Sequence, residues 1–205
     1  MTIAEQLANY RVLPVITAED VEATVALSRA LLHGGMRAVE ITLRTNVALE
    51  AIAAVRSALP DMAVAAGTVT NPRELQAAVL MGCDFYVSPG LTEPLLAAAR
   101  EAGAALVPGV ATASEIMLGM DYGLDCFKLF PAVPVGGIAL LKALAGPFPR
   151  IHFCPTGGLN ADNFRDFLAL PNVVCCGGSW MVAPELVRRG DWATISRLAA
   201  AAMND

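Results

Sequence analysis

Lysine is nearly absent from this chain: of its 205 residues two are lysine, Lys128 and Lys142, against twelve arginines. Guanidinium does not give up its proton, so the common surface cation here is one unsuited to nucleophilic chemistry, and a lysine in an apolar setting stands out. Charged residues make up 16% of the chain and aromatics 6%. The net charge of -5, with a pI near 5.0, excludes the basic footprint of a nucleic-acid binder. No uninterrupted apolar run is long enough to cross a bilayer; Arg100-Glu101, for example, breaks the apolar region 95–107. The start, Met1-Thr2-Ile3-Ala4-Glu5-Gln6, lacks a basic segment followed by an apolar core, so neither a signal peptide nor a membrane partner is expected. Five cysteines (Cys83, Cys126, Cys154, Cys175, Cys176) form no CxxC pair, and His33 and His152 are far apart. Free buried thiols in a cytoplasmic setting are expected, with no metal site.

What is present is apolar side chain. Hydrophobic residues reach 56% and mean hydropathy +0.55, high for a lone soluble subunit, so part of the apolar surface is expected between copies of the chain. The length suits one domain, residues 1–205, with a sizeable core. Eight short β-rich runs recur at 12–16, 38–42, 63–67, 85–88, 105–108, 126–130, 151–155 and 173–177. They start 20 to 26 residues apart, the length of a strand-loop-helix-loop unit. Between them lie helix starts, Thr17-x-x-Asp20, Asn71-Pro72-x-Glu74 and Thr112-x-x-Glu115, and glycine stops after His33, Met81 and Ala102. No Rossmann glycine fingerprint follows the first run. The pattern predicts an α/β fold, a single (β/α)8 TIM barrel with an extra helix over residues 3–9.

The sixth run, Cys126-Phe127-Lys128-Leu129-Phe130-Pro131, is too short for a helix and ends in proline. In a pleated strand Phe127 and Leu129 face one way, and Cys126, Lys128 and Phe130 the other. Burial disfavours the charged ammonium, and an uncharged amine attacks ketones. A structural lysine paired with a buried carboxylate fits the same run. The second run ends Glu40-Ile41-Thr42-Leu43-Arg44-Thr45 and alternates so that Glu40, Thr42 and Arg44 share the inner face. Glu40 there suits a counter-ion, a proton shuttle, or both. Arg44 at the exit suits a bidentate clamp on a carboxylate, or a solvated loop position.

Thr68 after the third run and Ser88-Pro89-Gly90 after the fourth read, by themselves, as ordinary turn chemistry. Gly157-Gly158 and Gly177-Gly178-Ser179 follow the seventh and eighth runs, where barrels commonly hold phosphate. Two glycine pairs opening onto helix N-termini would present free N–H groups at a dipole's positive end. Tight turns alone would also use them.

Together, Val39-Glu40-Ile41-Thr42-Leu43-Arg44-Thr45, Ala66-Gly67-Thr68-Val69, Ser88-Pro89-Gly90-Leu91-Thr92, Phe127-Lys128-Leu129-Phe130-Pro131-Ala132, Phe153-Cys154-Pro155-Thr156-Gly157-Gly158 and Gly177-Gly178-Ser179-Trp180 resemble the bacterial 2-keto-3-deoxy-6-phosphogluconate (KDPG) aldolases, a family that includes 4-hydroxy-2-oxoglutarate aldolases. The resemblance covers essentially the whole chain. It implies a class I aldolase of the Entner–Doudoroff route that needs no metal or other cofactor, acts on a small phosphorylated keto acid and assembles as a homotrimer. It also implies roles: Lys128 forms the Schiff base and Glu40 is the general acid/base. Arg44 and Thr68 hold the pyruvyl carboxylate; Pro89, Phe130 and Thr156 shape the pocket; Gly157, Gly158 and Ser179 bind phosphate. The Thr-Leu-Arg-Thr and Pro-Thr-Gly-Gly forms are closer to the KDPG enzyme than to its galactonate-derived relative. That relative, another phosphate-binding barrel such as a decarboxylase or isomerase, and a non-catalytic phosphosugar-binding barrel are the competing readings.

Overall fold

The structure is a computed structural model that describes residues 1–204; Asp205, the last residue of the expected domain, lies outside the described residues. Helix α1 (Ile3–Ala8) precedes the first strand, as expected, and is closed by a capping box in which Thr2 accepts from the Glu5 N–H and Glu5 accepts from the Thr2 N–H. Then come β1 (Val12–Thr17), α2 (Val21–His33), β2 (Ala38–Thr42), α3 (Ala48–Ala58), β3 (Ala63–Gly67), α4 (Pro72–Leu80), β4 (Phe85–Val87), α5 (Glu93–Ala102), β5 (Leu106–Val107), β6 (Gly109–Val110), α6 (Ala113–Asp121) and β7 (Cys126–Leu129). The chain ends with α7 (Gly137–Ala145), β8 (His152–Phe153), α8 (Phe164–Leu168), β9 (Cys176–Gly178), a single 3-10 turn (Trp180–Val182), α9 (Pro184–Arg188) and α10 (Trp192–Met203).

This is a mixed α/β fold with parallel sheets. Six strands run in the order β5-β4-β3-β2-β1-β9 and three in the order β6-β7-β8. Parallel strands covered by helices read as near-continuous apolar runs, and β2 is buried at all five positions, Glu40 and Thr42 included.

The expected fifth strand is divided. Leu106–Val107 pairs with β4, and Gly109–Val110 pairs with β7. Pro108 stands between them with no N–H to give a ladder, while its carbonyl accepts from the Lys128 N–H at 2.9 Å. The expected eighth strand is shifted onto Cys176–Gly178, and Val173 makes only an isolated parallel bridge to Phe153.

Alternation separates two clusters. Val39, Ile41, Phe127 and Leu129 pack outward against the helices. Leu7, Leu13, Ala38, Ala65, Phe85, Val107, Cys126, Cys154 and Cys175 fill the inner face. The helix starts at Asn71 and Thr112 are caps as expected. At α2 the cap is Asp20 itself, accepting from the Ala23 N–H at 2.7 Å, while Thr17 still belongs to β1. An acid three residues past a threonine matched the capping pattern, but Asp20 is the better-placed acceptor.

Candidate active site

Glu40 of β2 and Lys128 of β7, strands of the two different sheets, meet across the inner face. Lys128 Nζ donates to Glu40 Oε1 at 3.2 Å, with side chains only 5% and 1% exposed. Leu7, Leu13, Phe85, Val87, Val107, Cys154 and Thr156 line, with the pair, an inner void too small for a water molecule. Held this close, the two side chains leave a proton a short path between nitrogen and oxygen. The Phe130 ring lies 5.1 Å from Nζ, so the expected pocket wall is in contact range of the amine.

The carboxylate position depends on a glycine. A Cβ at Gly67, on β3, would run into the Glu40 carboxylate, so only glycine leaves the acid room to reach Lys128. Register pairs Gly67 with Thr42 and Ala65 with Glu40, and these small residues open the space beside β2. The role of Gly67 was missed from sequence; its signal was a glycine ending the strand beside the one that carries the acid.

Arg44 and Thr68 meet at the strand ends. Arg44 Nε donates to Thr68 Oγ1 at 3.0 Å, and Thr68 holds a left-handed backbone, φ 57°. A β-branched residue in that region is strained and persists only where its surroundings insist on it. Pro89 is exposed beside Ser88, whose hydroxyl donates to the Gly90 carbonyl at 2.6 Å. A Cβ on Gly109 would strike the Pro89 carbonyl, so this loop is pressed against the start of β6.

Thr156 is buried, and its N–H donates to the Leu129 carbonyl at 3.0 Å, which fixes the loop after β8 against β7. That loop is then zipped to the one after β7 by Ala132 and Val133 N–H groups donating to the Thr156 and Gly157 carbonyls at 2.8 and 3.0 Å. Gly157 and Gly158 both hold left-handed conformations, φ 101° and 83°, which side-chain-bearing residues avoid.

The two glycine pairs are not alike. Gly157-Gly158 is a turn, but α8 begins at Phe164, beyond a loop organised by Asn160 and Asn163, so the pair does not open directly onto a helix. Gly177-Gly178 lies inside β9, and the Gly177 N–H is already spent on the Pro155 carbonyl at 2.9 Å. This corrects the expectation of two cradles with free N–H groups. The second pair makes room instead: a Cβ on Gly177 would meet Thr156 Oγ1, and one on Gly178 the Trp180 ring. Ser179, just past β9, is exposed and free of a capping bond.

Ser179 and Arg44 line one cavity of about 230 Å³ at the strand ends, together with Thr17, Glu19 and Arg188 and an apolar wall that includes Leu27 and Val187. Arg188 was not singled out in the sequence, and Thr17 only as a helix start. Below the ion pair the inner thiols are protonated: burial pushes the Cys126 thiol up, and a hydrogen bond with Cys154, then burial, does so for Cys175. Among the described residues no group of three His, Cys, Asp or Glu side chains could hold a metal ion, and no helix is long and apolar enough to cross a membrane.

The family model for the aldolases described as KDPG and KHG aldolase matches residues 3–198. The chain is 50% identical over 203 residues to the 2-dehydro-3-deoxy-phosphogluconate aldolase of Dickeya dadantii (strain 3937), covering 98% of this chain and 95% of that one. It superposes on the KDPG aldolase of Legionella pneumophila, solved with pyruvate captured at low pH as a covalent carbinolamine intermediate, with TM-score 0.96 and 42% identity over 98% of both chains. The Zymomonas mobilis ZM4 enzyme solved with 3-phosphoglycerate gives TM-score 0.91 and 42% identity, over 97% of this chain and 94% of that one.

Proposed function

This chain belongs to the KDPG and KHG aldolase family, and from that premise we propose that it cleaves 2-dehydro-3-deoxy-6-phosphogluconate reversibly to pyruvate and glyceraldehyde 3-phosphate through an imine on Lys128. One observation carries the assignment of residues: the amine of Lys128 faces inward, dry, 3.2 Å from a single buried carboxylate.

Glu40 takes the ammonium proton, and the freed Lys128 amine adds to the C2 ketone to give a carbinolamine. Glu40 gives that proton to the departing carbinolamine hydroxyl, so that loss of water leaves a protonated imine and Glu40 a carboxylate again. The C3–C4 bond then breaks, its electron pair flowing into the imine to form an enamine, while the proton of the C4 hydroxyl passes to Glu40 directly or through one water. Glyceraldehyde 3-phosphate departs, Glu40 returns a proton to the enamine carbon, and hydrolysis releases pyruvate. Arg44, oriented by Thr68, binds the pyruvyl carboxylate. Pro89, Phe130 and Thr156 shape the pocket, and Gly157, Gly158 and Ser179 receive the phosphate. Every step uses side-chain acid, base or amine, so the proposal calls on no metal or other cofactor. The family's second activity makes 4-hydroxy-2-oxoglutarate a side substrate.

The bridges Phe153↔Val173 and Thr156↔Gly177, with the continuity of the chain through Pro108, support reading the two sheets as one closed (β/α)8 barrel in a single domain. Exposed Met117, Met120 and Val133 support a self-association surface, in keeping with a cytoplasmic homotrimer.

The test is trapping. Incubation with pyruvate and borohydride, followed by mass measurement and peptide mapping, gives one covalent adduct on Lys128. An adduct elsewhere overturns the assignment of Lys128, and none leaves a phosphosugar-binding barrel without catalysis.

A further inference from the structure

The cavity at the strand ends carries a cation that the reaction as described does not use. A phosphorylated keto acid brings two anionic ends, each of which needs a positive partner. Arg44 is oriented by Thr68 for the carboxylate, and the charge of Lys128 is matched by Glu40. At the phosphate end, Ser179 and the Gly157-Gly158 backbone offer dipoles only. Arg188, at the end of α9, lines the same cavity as Ser179.

Its present partners are weak. Arg188 Nε donates to the Pro184 carbonyl at 3.3 Å, and Nη2 meets Glu185 Oε1 at 3.3 Å with both side chains about two-thirds exposed, 66% and 69%. An exposed pair three residues apart on one short helix is readily exchanged for a stronger anion. Guanidinium holds phosphate through two parallel N–H···O bonds, which neither a hydroxyl nor a backbone turn supplies. Glu19 also lines the cavity, so its two arginines and one carboxylate leave a net charge of +1. Without Arg188 that falls to zero.

We propose that Arg188 is a specificity-determining residue that binds the substrate phosphate beside Ser179 and favours phosphorylated over unphosphorylated keto acids. This rests on the aldolase reading above.

The test compares kcat/KM for 2-dehydro-3-deoxy-6-phosphogluconate and for 2-dehydro-3-deoxygluconate in the wild type, Arg188→Ala, Arg188→Lys, Arg188→Glu and, as a control for surface charge, Arg189→Ala. The phosphorylated-to-unphosphorylated ratio is expected to fall about tenfold in Arg188→Ala, through KM rather than kcat, and further in Arg188→Glu. Arg188→Lys recovers part of the loss, and Arg189→Ala keeps the wild-type ratio. A ratio within about twofold of wild type in Arg188→Ala, or an equal fall in Arg189→Ala, overturns the proposal. Pyruvate trapping on the wild type tells the two failures apart. If no adduct forms, the aldolase reading has failed, and calorimetric titration with glyceraldehyde 3-phosphate then judges Arg188 directly. A Kd about tenfold weaker in Arg188→Ala supports it, and an unchanged Kd refutes it.

Discussion

Lys128 and Glu40 sit on strands with side chains 5% and 1% exposed, whereas Arg44 and Ser179 stand beyond strand ends and Arg188 ends a helix, all three exposed. The first pair is held by a parallel ladder on each side and by a packed inner cluster. The second group is held by a few local bonds, such as Arg44 to Thr68. Covalent chemistry needs an amine shielded from water and a base at fixed reach, which rigid strands supply. Recognition of a charged, water-loving substrate needs access first, and loops give that. In the proposed mechanism the molecule thus divides making and breaking bonds from choosing the substrate, and substitutions in the two regions should fail differently.

The largest failure is expected at Lys128. Guanidinium cannot form the imine, so Lys128→Arg keeps a cation opposite Glu40 yet abolishes cleavage, read by coupling pyruvate release to a dehydrogenase. Turnover at the wild-type rate would break the division at its root. Next is Glu40→Gln, which keeps the shape and removes the proton acceptor. Turnover drops by about 10²–10⁴-fold, while the pyruvate adduct still forms on longer incubation. A variant with normal turnover would remove Glu40 from the proton path.

How much of this could be read beforehand follows the same line. Alternation alone put Lys128, Glu40 and Arg44 on the inner face, because strands have a strict period of two and inner and outer residues differ in kind. The buried pair was therefore legible. The loops were less so. Two glycine pairs look identical in sequence, yet Gly157-Gly158 is a left-handed turn and Gly177-Gly178 is strand with its hydrogen bonds in use. Nothing local distinguishes a glycine chosen for its φ from one chosen because Trp180 or Thr156 fills the place of its Cβ. Arg188 was invisible for a similar reason: only the fold brings the end of α9 and the end of β1 to one cavity with Ser179. The division of the fifth strand turns on Pro108, whose effect depends on which neighbours need its missing N–H.

At the rim the failure should be in binding. Arg44→Ala removes a charge-assisted contact worth about 1.5–3 kcal/mol, so KM for the keto acid rises by about 10- to 100-fold. Because the lysine stays dry, kcat changes far less, and a saturating pyruvate concentration still gives the borohydride adduct. A kcat collapse with unchanged KM would mean that Arg44 belongs with the buried pair, and the two regions would merge.

The smallest effect probes dryness without substrate. Cys83, in the turn before β4, has its thiol pushed from 9.0 up to about 11, chiefly by burial and against the pull of Arg56. The folded protein therefore prefers the neutral thiol. The stability this contributes is whole below pH 9, where the thiol is protonated in both states, and is lost as pH rises from 9 through about 11, because the unfolded chain ionises first. At pH 10 the loss is about 1 kcal/mol. Burial likewise pushes the nearby Tyr86 phenol up to about 12, so some alkaline slope persists whatever happens at Cys83. Urea unfolding at pH 8 and pH 10 on wild type and Cys83→Ala isolates the thiol, since the packing cost of the substitution cancels within each protein. The wild type should lose about 1 kcal/mol more than the variant between the two pH values. Equal losses would show water reaching Cys83, and with it a helix–strand layer wetter than the one around Lys128.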